Sequence, residues 1–205
     1  MRDAAISGFN EFTGQLRAAP GEATLKLVQF DDRYETVFDK PLHEVPWLNA
    51  EMFVPRGRTA LFDAQGRTII ELGDELRNLP ESDRPGKVIV MTMTDGMENA
   101  SKAYTNERIR AVINHQRDVY KWEFLYLGAN QDAISVAADM GIPQSAAITY
   151  AANAVAVANT MRASADYVNA VRLDSFCQLP GRVRFSLEDR KAAMANTGDP
   201  AVPAS

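Results

Sequence analysis

Two short stretches of this sequence carry oxygen-bearing side chains in a pattern that suits a divalent cation. Thr59 stands at the expected start of a helix in RGRTALFDA, and Asp95 follows an apolar run in MTDGMENAS. A hydroxyl at a helix N-terminus lies near free N–H groups and the positive end of the helix dipole. A carboxylate at a strand end, followed by glycine, can point outward from a sharp turn. Hard cations such as Mg²⁺ prefer these oxygen ligands, so Thr59 and Asp95 are the candidate metal ligands.

Other site chemistries find little support in the sequence. His43 and His115 lie far apart, without cysteine or paired carboxylates at ligand spacing, which argues against a zinc site. The stretch PGKVIV lacks the flanking residues of a Walker loop, and neither G-x-G-x-x-G after a strand nor G-x-S-x-G is present. No catalytic residues are therefore assigned and no enzyme activity is expected. A Mg²⁺-dependent phosphoester hydrolase stays open as an alternative, but it needs a second carboxylate cluster at a neighbouring strand end.

The composition limits the classes of partner. The chain has 205 residues, 46% of them hydrophobic, and a formal net charge of -5. This acidic balance argues against nonspecific binding to nucleic acid or to anionic lipid, which both need a basic surface. No apolar run approaches the roughly 18 to 20 residues of a membrane span, and the first residues lack the layout of a signal peptide. A cytoplasmic protein is the expectation, and the single cysteine suits a reducing compartment.

Helices and strands are predicted to alternate along the chain and to position the two candidate ligands. The apolar periodicity predicts helices over about 3–19, 59–79, 105–120, 131–141 and 153–173. It predicts a hairpin over 23–42 with Asp31 and Asp32 in its turn, and strands over 87–96, 122–130 and 147–151. RVRFSL, at 182–187, is predicted as an edge strand, and the tail from about Ala192 is predicted to be disordered. This order indicates a mostly parallel sheet between helices, with ligands bound at the carboxyl ends of its strands.

At this point the two stretches resemble a known family. PRGRTALFDA resembles the segment of von Willebrand factor A (vWA) domains in which a glycine-rich loop delivers a metal-ligating threonine to a helix. VIVMTMTDGMENAS resembles the later strand of that family, which ends in a metal-ligating aspartate. The resemblance covers about residues 2–150 and implies that Thr59 and Asp95 belong to a metal-ion-dependent adhesion site (MIDAS). It further implies that Asp63, one turn beyond Thr59, supports the helix rather than the metal.

The resemblance also implies a fold, from which this chain departs in one respect. The family fold is a Rossmann-like three-layer α/β sandwich, with a mostly parallel sheet and one antiparallel edge strand from a hairpin. It begins with a central apolar strand ending in Asp-x-Ser-x-Ser, whereas Met1 here stands at the start of the first predicted helix. We therefore expect a truncated vWA-like domain over 1–175, without the first strand and its ligands, and a partly disordered extension over 176–205.

The expected absence of a central strand has an energetic consequence. Each unpaired buried backbone group costs about 1 to 3 kcal/mol, and a whole domain is stable by only about 5 to 15 kcal/mol. The chain is therefore expected to be unstable, to pair the flanking strands directly, or to accept a strand donated by another chain.

The function implied by the resemblance is protein–protein recognition. A bound Mg²⁺ or Mn²⁺ would join the domain to an acidic residue on a partner protein, and with two of the family's ligands alone it would bind weakly or not at all. The alternative is a structural or regulatory helper that uses its surface without metal.

Two minor expectations concern packing. Trp47, Met52 and Phe53 should pack under their proline-rich loop, although a partner-contacting patch stays open. Met91, Met93 and Met97 should fill the core.

Overall fold

The structure is a computed structural model that describes residues 1–129, 131–173 and 183–196. Within these residues the chain forms α-helices, β-strands and three short 3₁₀ turns. The helices are α1 (Arg2–Ala18), α2 (Leu61–Arg77), α3 (Asn106–Tyr120), α4 (Ala133–Asp139), α5 (Ala154–Leu173) and α6 (Leu187–Ala193). The strands are β1 (Thr24–Phe30), β2 (Tyr34–Pro41), β3 (Ile89–Thr94), β4 (Glu123–Ala129) and β5 (Ala147–Tyr150).

The strands form two sheets. β1 and β2 make an antiparallel hairpin, in which Leu27 pairs with Phe38 and the register then shifts so that Val28 pairs with Thr36. β3, β4 and β5 make a parallel sheet with β4 at its centre. All seven residues of β4 are buried, as expected for a parallel strand covered on both faces. The predicted α/β class and the hairpin are thus confirmed, whereas β1 and β3 lie in separate sheets.

One helix contacts each face of the hairpin. Lys26 of β1 points to one face, where its ammonium lies 2.7 Å from the Glu75 carboxylate of α2. Phe38, the pairing partner of the next residue of β1, points to the opposite face, where its ring lies 6.2 Å from that of Phe9 in α1. Because successive strand residues alternate between faces, α1 and α2 lie on opposite sides of the sheet.

Two helix boundaries have a clear local cause. The Thr105 side chain accepts a hydrogen bond from the Arg108 backbone N–H, so the predicted N-cap of α3 is confirmed. Gly141 follows α4 with a φ of +83°, a backbone conformation that favours glycine. α2 begins at Leu61, two residues later than Thr59, and its N-cap position is Ala60. Thr59 therefore lies in the preceding loop, which frees its hydroxyl from helix capping.

The prediction of an edge strand over 182–187 is wrong for its described residues. Val183 to Ser186 form no strand, and α6 begins at Leu187. The cause is a capping box: Ser186 accepts from the Asp189 N–H, and the Asp189 carboxylate accepts from the Ser186 N–H. The predicted disorder from Ala192 is also wrong up to residue 196, because Ala193 is fully buried and its carbonyl accepts from the Ala151 N–H.

Two packing expectations also need correction. Trp47 is 55% exposed and Met97 is 68% exposed, so neither fills the core. The Trp47 ring instead lies on α1, with the Arg17 guanidinium 4.7 Å from the ring centre.

In the described part of the chain no helix is long and apolar enough to cross a membrane.

Candidate functional site

The carboxyl ends of β1 and β3 meet at the dipeptide that precedes α2. The Ala60 N–H donates to the carbonyl of Asp31, directly after β1, over 2.8 Å. The Thr59 carbonyl accepts from the Asn99 N–H over 3.0 Å, and the Thr59 N–H donates to the Asn99 side chain over 3.1 Å. Two strand ends that belong to different sheets are thus held to the same two residues. We call this edge of the molecule the rim, defined by Asp31, Thr59, Ala60 and residues 95–99.

The hydroxyl of Thr59 lies directly beside the turn that carries Asp95. A Cβ placed on Gly96 would stand only 2.5 Å from Thr59 Oγ1, so the close approach requires glycine at this position. Asp95 itself is exposed, and among the described residues its carboxylate has neither a hydrogen bond nor an ion pair. The structure therefore brings the two predicted ligands together at the carboxyl end of β3.

Glu98 fixes the loop that follows β3 against the start of α2. Its carboxylate accepts from the Phe62 N–H over 3.0 Å, from the Ala100 and Ser101 N–H groups over 2.9 and 2.8 Å, and from the Ser101 hydroxyl over 2.7 Å. A carboxylate at this place also meets the positive end of the α2 dipole. Glu98 therefore organises the rim without being free to act as a metal ligand.

Asp63 does more than support its own helix, which corrects the expectation for this residue. Its carboxylate accepts the three successive backbone N–H groups of Lys102, Ala103 and Tyr104 at 2.8 to 2.9 Å. Its own N–H donates to the Ser101 hydroxyl over 3.1 Å. Asp63 and Glu98 together attach residues 98–104 to α2, and the first turn of α2 therefore sets the position of the loop after Asp95.

The pKa values of both carboxyl groups follow from these contacts. Burial alone would raise the pKa of Asp63 and of Glu98, but the backbone N–H donors outweigh it and hold both pKa values below their ordinary values of 3.8 and 4.5. A carboxyl group with a lowered pKa in the folded state stabilises the fold at pH values above its unfolded pKa. That stabilisation is lost as the pH falls through the folded pKa.

The protein is accordingly expected to lose stability as the pH drops below about 4, with little change between neutral pH and pH 5. Urea unfolding followed by circular dichroism at successive pH values measures this dependence. In the double variant Asp63→Asn and Glu98→Gln the acid-dependent part of the loss should be smaller. An unchanged acid profile in that variant contradicts the assignment of the effect to these two groups.

A tyrosine hydroxyl lies under the rim. Tyr150 at the end of β5 is buried, and its hydroxyl donates to the Thr94 carbonyl over 3.4 Å. Burial raises the pKa of Tyr150, and the negative charge of Asp95 raises it further. The Tyr150 hydroxyl therefore stays neutral and acts as a hydrogen-bond donor. It lies close enough to Asp95 for the negative charge of that carboxylate to raise its pKa.

The rim offers oxygen ligands of the kind that a hard cation prefers, but it offers too few of them. The Thr59 hydroxyl and the Asp95 carboxylate are the oxygen ligands that Mg²⁺ or Mn²⁺ accepts. No cluster of three or more His, Cys, Asp or Glu side chains suited to a metal ion occurs within the described ranges. Mg²⁺ takes about six oxygen ligands, so most of the coordination shell would have to come from water or from another chain.

Sequence reasoning missed the bracing role of Glu98 and Ser101. The signal was present, because TDGMENAS places a carboxylate and a hydroxyl after the strand-ending Asp95. Both side chains could cap free backbone N–H groups in a loop. Which N–H groups they reach depends on α2, which lies more than thirty residues earlier in the chain.

The described residues define a mixed α/β protein with a three-stranded parallel sheet, a separate antiparallel hairpin and a polar rim at the strand ends. Comparison with protein-family models gives no match, and comparison with curated proteins gives none either.

Proposed function

We propose that this chain is a protein–protein recognition module of the vWA type, with a MIDAS-like cation site that is incomplete in this chain. The observation that supports the proposal is the close approach of the Thr59 hydroxyl to Gly96, the residue that follows the exposed Asp95. The fold that goes with the proposal is the Rossmann-like vWA sandwich, in which such a pair of oxygens stands at the carboxyl ends of the strands.

The recognition step would depend on unsaturated coordination. A Mg²⁺ or Mn²⁺ ion held by Thr59 and Asp95 would supply a positive charge with open coordination positions. An acidic side chain of a partner protein could take one of these positions. In this chain the role of the rim is to hold the two oxygens in place, through the braces from Asp63 and Glu98 to residues 98–104. No proton transfer or bond cleavage is required, so the proposed role is binding and not catalysis.

The cation dependence can be tested directly. Because two protein ligands leave the ion mostly hydrated, Mg²⁺ or Mn²⁺ should bind in the millimolar range or not at all. Isothermal calorimetry and the thermal unfolding midpoint, each with MgCl₂ or MnCl₂, measure this affinity. Asp95→Asn should abolish any response, whereas Asp118→Asn, an exposed aspartate on α3, should leave it unchanged. Adding an apolar strand that ends in Asp-x-Ser-x-Ser ahead of Met1 should strengthen cation binding.

Tight binding of Mg²⁺ to the 205-residue chain would contradict the incomplete site. A response that survives Asp95→Asn would show that the ion binds elsewhere. If the extended chain gains no affinity, the resemblance to the vWA site is wrong. The metal-independent structural or regulatory helper is then the better account of the protein.

A further inference from the structure

The turn after β3 contains a dipeptide that can change its own covalent structure. Asp95 is followed by Gly96, and this is the only Asp-Gly pair in the sequence, which contains no Asn-Gly pair. Glycine has no side chain to shield its amide nitrogen from the preceding aspartate. That nitrogen can therefore attack Cγ of the aspartate and close a succinimide ring. The pair is the place in the sequence where such a reaction meets the least steric resistance.

The carboxyl group of Asp95 is accessible and unrestrained. Asp95 is exposed, and among the described residues its carboxylate makes neither a hydrogen bond nor an ion pair. Asp63 and Glu98, the two carboxylates that brace the neighbouring loop, each accept three backbone N–H groups. Those two groups would have to break these bonds before they could rotate. Asp95 can turn toward the following peptide bond without such a loss.

The attacking nitrogen, in contrast, is held in place. The Gly96 N–H donates to Thr94 Oγ1 over 3.2 Å, and the Thr94 hydroxyl donates to the Gly96 carbonyl over 3.0 Å. Thr94 is only 8% exposed, so it is a firm support at the end of β3. A side chain that bonds the backbone two residues further on fixes the local turn. The Gly96 nitrogen must leave this bond and lose its proton before it can attack Asp95.

We propose that Asp95 is a site of isoaspartate formation, and that the Thr94 hydroxyl slows the reaction. In the first step the Gly96 nitrogen bonds to Cγ of Asp95, the nitrogen loses its proton, and one carboxyl oxygen leaves as water. In the second step water opens the ring at one of its two carbonyl carbons. Cleavage at Cγ restores aspartate, and cleavage at the backbone carbonyl carbon gives isoaspartate. One water is released and one is consumed, so the net change is an isomerisation.

The product alters the rim covalently. In isoaspartate the main chain runs through Cβ and Cγ, so one carbon is added to the backbone between residues 95 and 96. The free carboxylate is then bonded directly to Cα. Gly96 now stands so close to Thr59 that an added Cβ would lie 2.5 Å from Thr59 Oγ1, and a longer turn displaces it from this position. The inference stands without the cation site, because it concerns only residues 94–96.

The test uses the full chain, kept in warm neutral buffer made with water enriched in heavy oxygen. Samples taken over weeks are digested, and peptide mass spectrometry locates isoaspartate and heavy oxygen. A protein isoaspartyl methyltransferase with labelled S-adenosylmethionine measures the total amount. Residue 95 should be the first position to carry isoaspartate, and it should gain one heavy oxygen from the opening of the ring. Asp95→Glu should lose this early signal, because the longer side chain closes its ring far more slowly.

The role of Thr94 has its own variants. Thr94→Val keeps the shape of the side chain and removes the hydroxyl, so isoaspartate at residue 95 should form about fivefold faster, the effect of one net hydrogen bond. Thr94→Ser keeps the hydroxyl and should age like the parent chain. Ile109→Val lowers the stability at a fully buried position of α3 and leaves the turn intact. Its rate at residue 95 should equal that of the parent chain.

Four results would overturn the proposal. Isoaspartate that appears first at another residue would show that Asp95 is not the preferred site. An unchanged rate in Thr94→Val would show that the hydroxyl does not restrain Gly96, and an equal acceleration in Ile109→Val would show that the reaction starts from the unfolded chain. The last measurement needs no variant: above its urea midpoint the parent chain should react faster than when folded. Equal rates would mean that the fold does not hold the nitrogen.

Discussion

Glu98→Ala is expected to be among the most destabilising single substitutions in the described chain, at about 2 to 4 kcal/mol. The variant removes the acceptor of three backbone N–H groups and one hydroxyl, and no other described side chain replaces it. Phe62 in the first turn of α2 loses its N–H partner, and the loop after β3 loses its attachment to the helix. The urea midpoint of unfolding measures the change, with an unchanged m value as the sign that the unfolded state is comparable.

Glu51→Ala is the matched control, because this glutamate is exposed and stands in a loop outside the rim. Its effect should stay within about 0.5 kcal/mol. If Glu98→Ala behaves like Glu51→Ala, the loop after β3 does not depend on the carboxylate and the rim is organised by other contacts. Glutamine at position 98 keeps one acceptor oxygen but turns an NH₂ group toward N–H donors. A loss in Glu98→Gln nearly as large as in Glu98→Ala would therefore show that both carboxylate oxygens are needed as acceptors.

Gly66→Ala is expected to destabilise the protein by about 1 to 3 kcal/mol, although alanine is the better helix former. A Cβ on Gly66 would stand 2.5 to 2.6 Å from three ring atoms of Tyr104. The ring is held in turn by the Arg108 guanidinium, 4.4 Å from its centre, and its backbone N–H is held by Asp63. To admit the methyl group, the ring or the loop has to move, and the loop contacts made by Asp63 are then disturbed.

Gly73→Ala in the same helix provides the control. Its Cβ would meet its nearest neighbour, the Gln116 side chain, at an ordinary 3.7 Å, so the substitution should stabilise the protein by about 0.5 to 1 kcal/mol. The two variants are therefore expected to differ in sign in the same urea experiment. A stabilising Gly66→Ala would mean that the Tyr104 ring does not rest on α2 in solution.

The local elements could be predicted from the sequence because their signals are local. The apolar periodicity of α2, the continuous apolar run of β3 and the capping threonine of α3 each lie within a few residues of the element they specify. The edge strand predicted around Arg184 failed for the opposite reason. Val-Arg-Phe-Ser has a strand-like alternation, but Ser186 and Asp189 form a capping box that starts a helix.

The candidate ligands were predicted from the sequence by the carboxyl-end rule for parallel strands. Thr59 lies beside the turn of Asp95 because Thr59 shortly precedes α2, Asp95 directly follows the strand β3, and the two loops are joined by hydrogen bonds at the rim. Their surroundings could not be predicted in the same way. Phe62, one of the partners of Glu98, lies 36 residues away, and the three N–H partners of Asp63 lie 39 to 41 residues away, so no local pattern encodes these contacts.

The amino-acid sequence by itself determined the α/β class, the hairpin and the two oxygen-bearing residues of the rim, because periodicity and turn residues act over short distances. Only the tertiary structure decided three further features: the separation of β1 from β3, the buried unpaired oxygen of Gln65, and the exposure of Trp47. Each depends on how α1 and α2 pack against strands that are distant in the chain. Packing of that kind is a property of the whole assembled core, which no single stretch of sequence specifies.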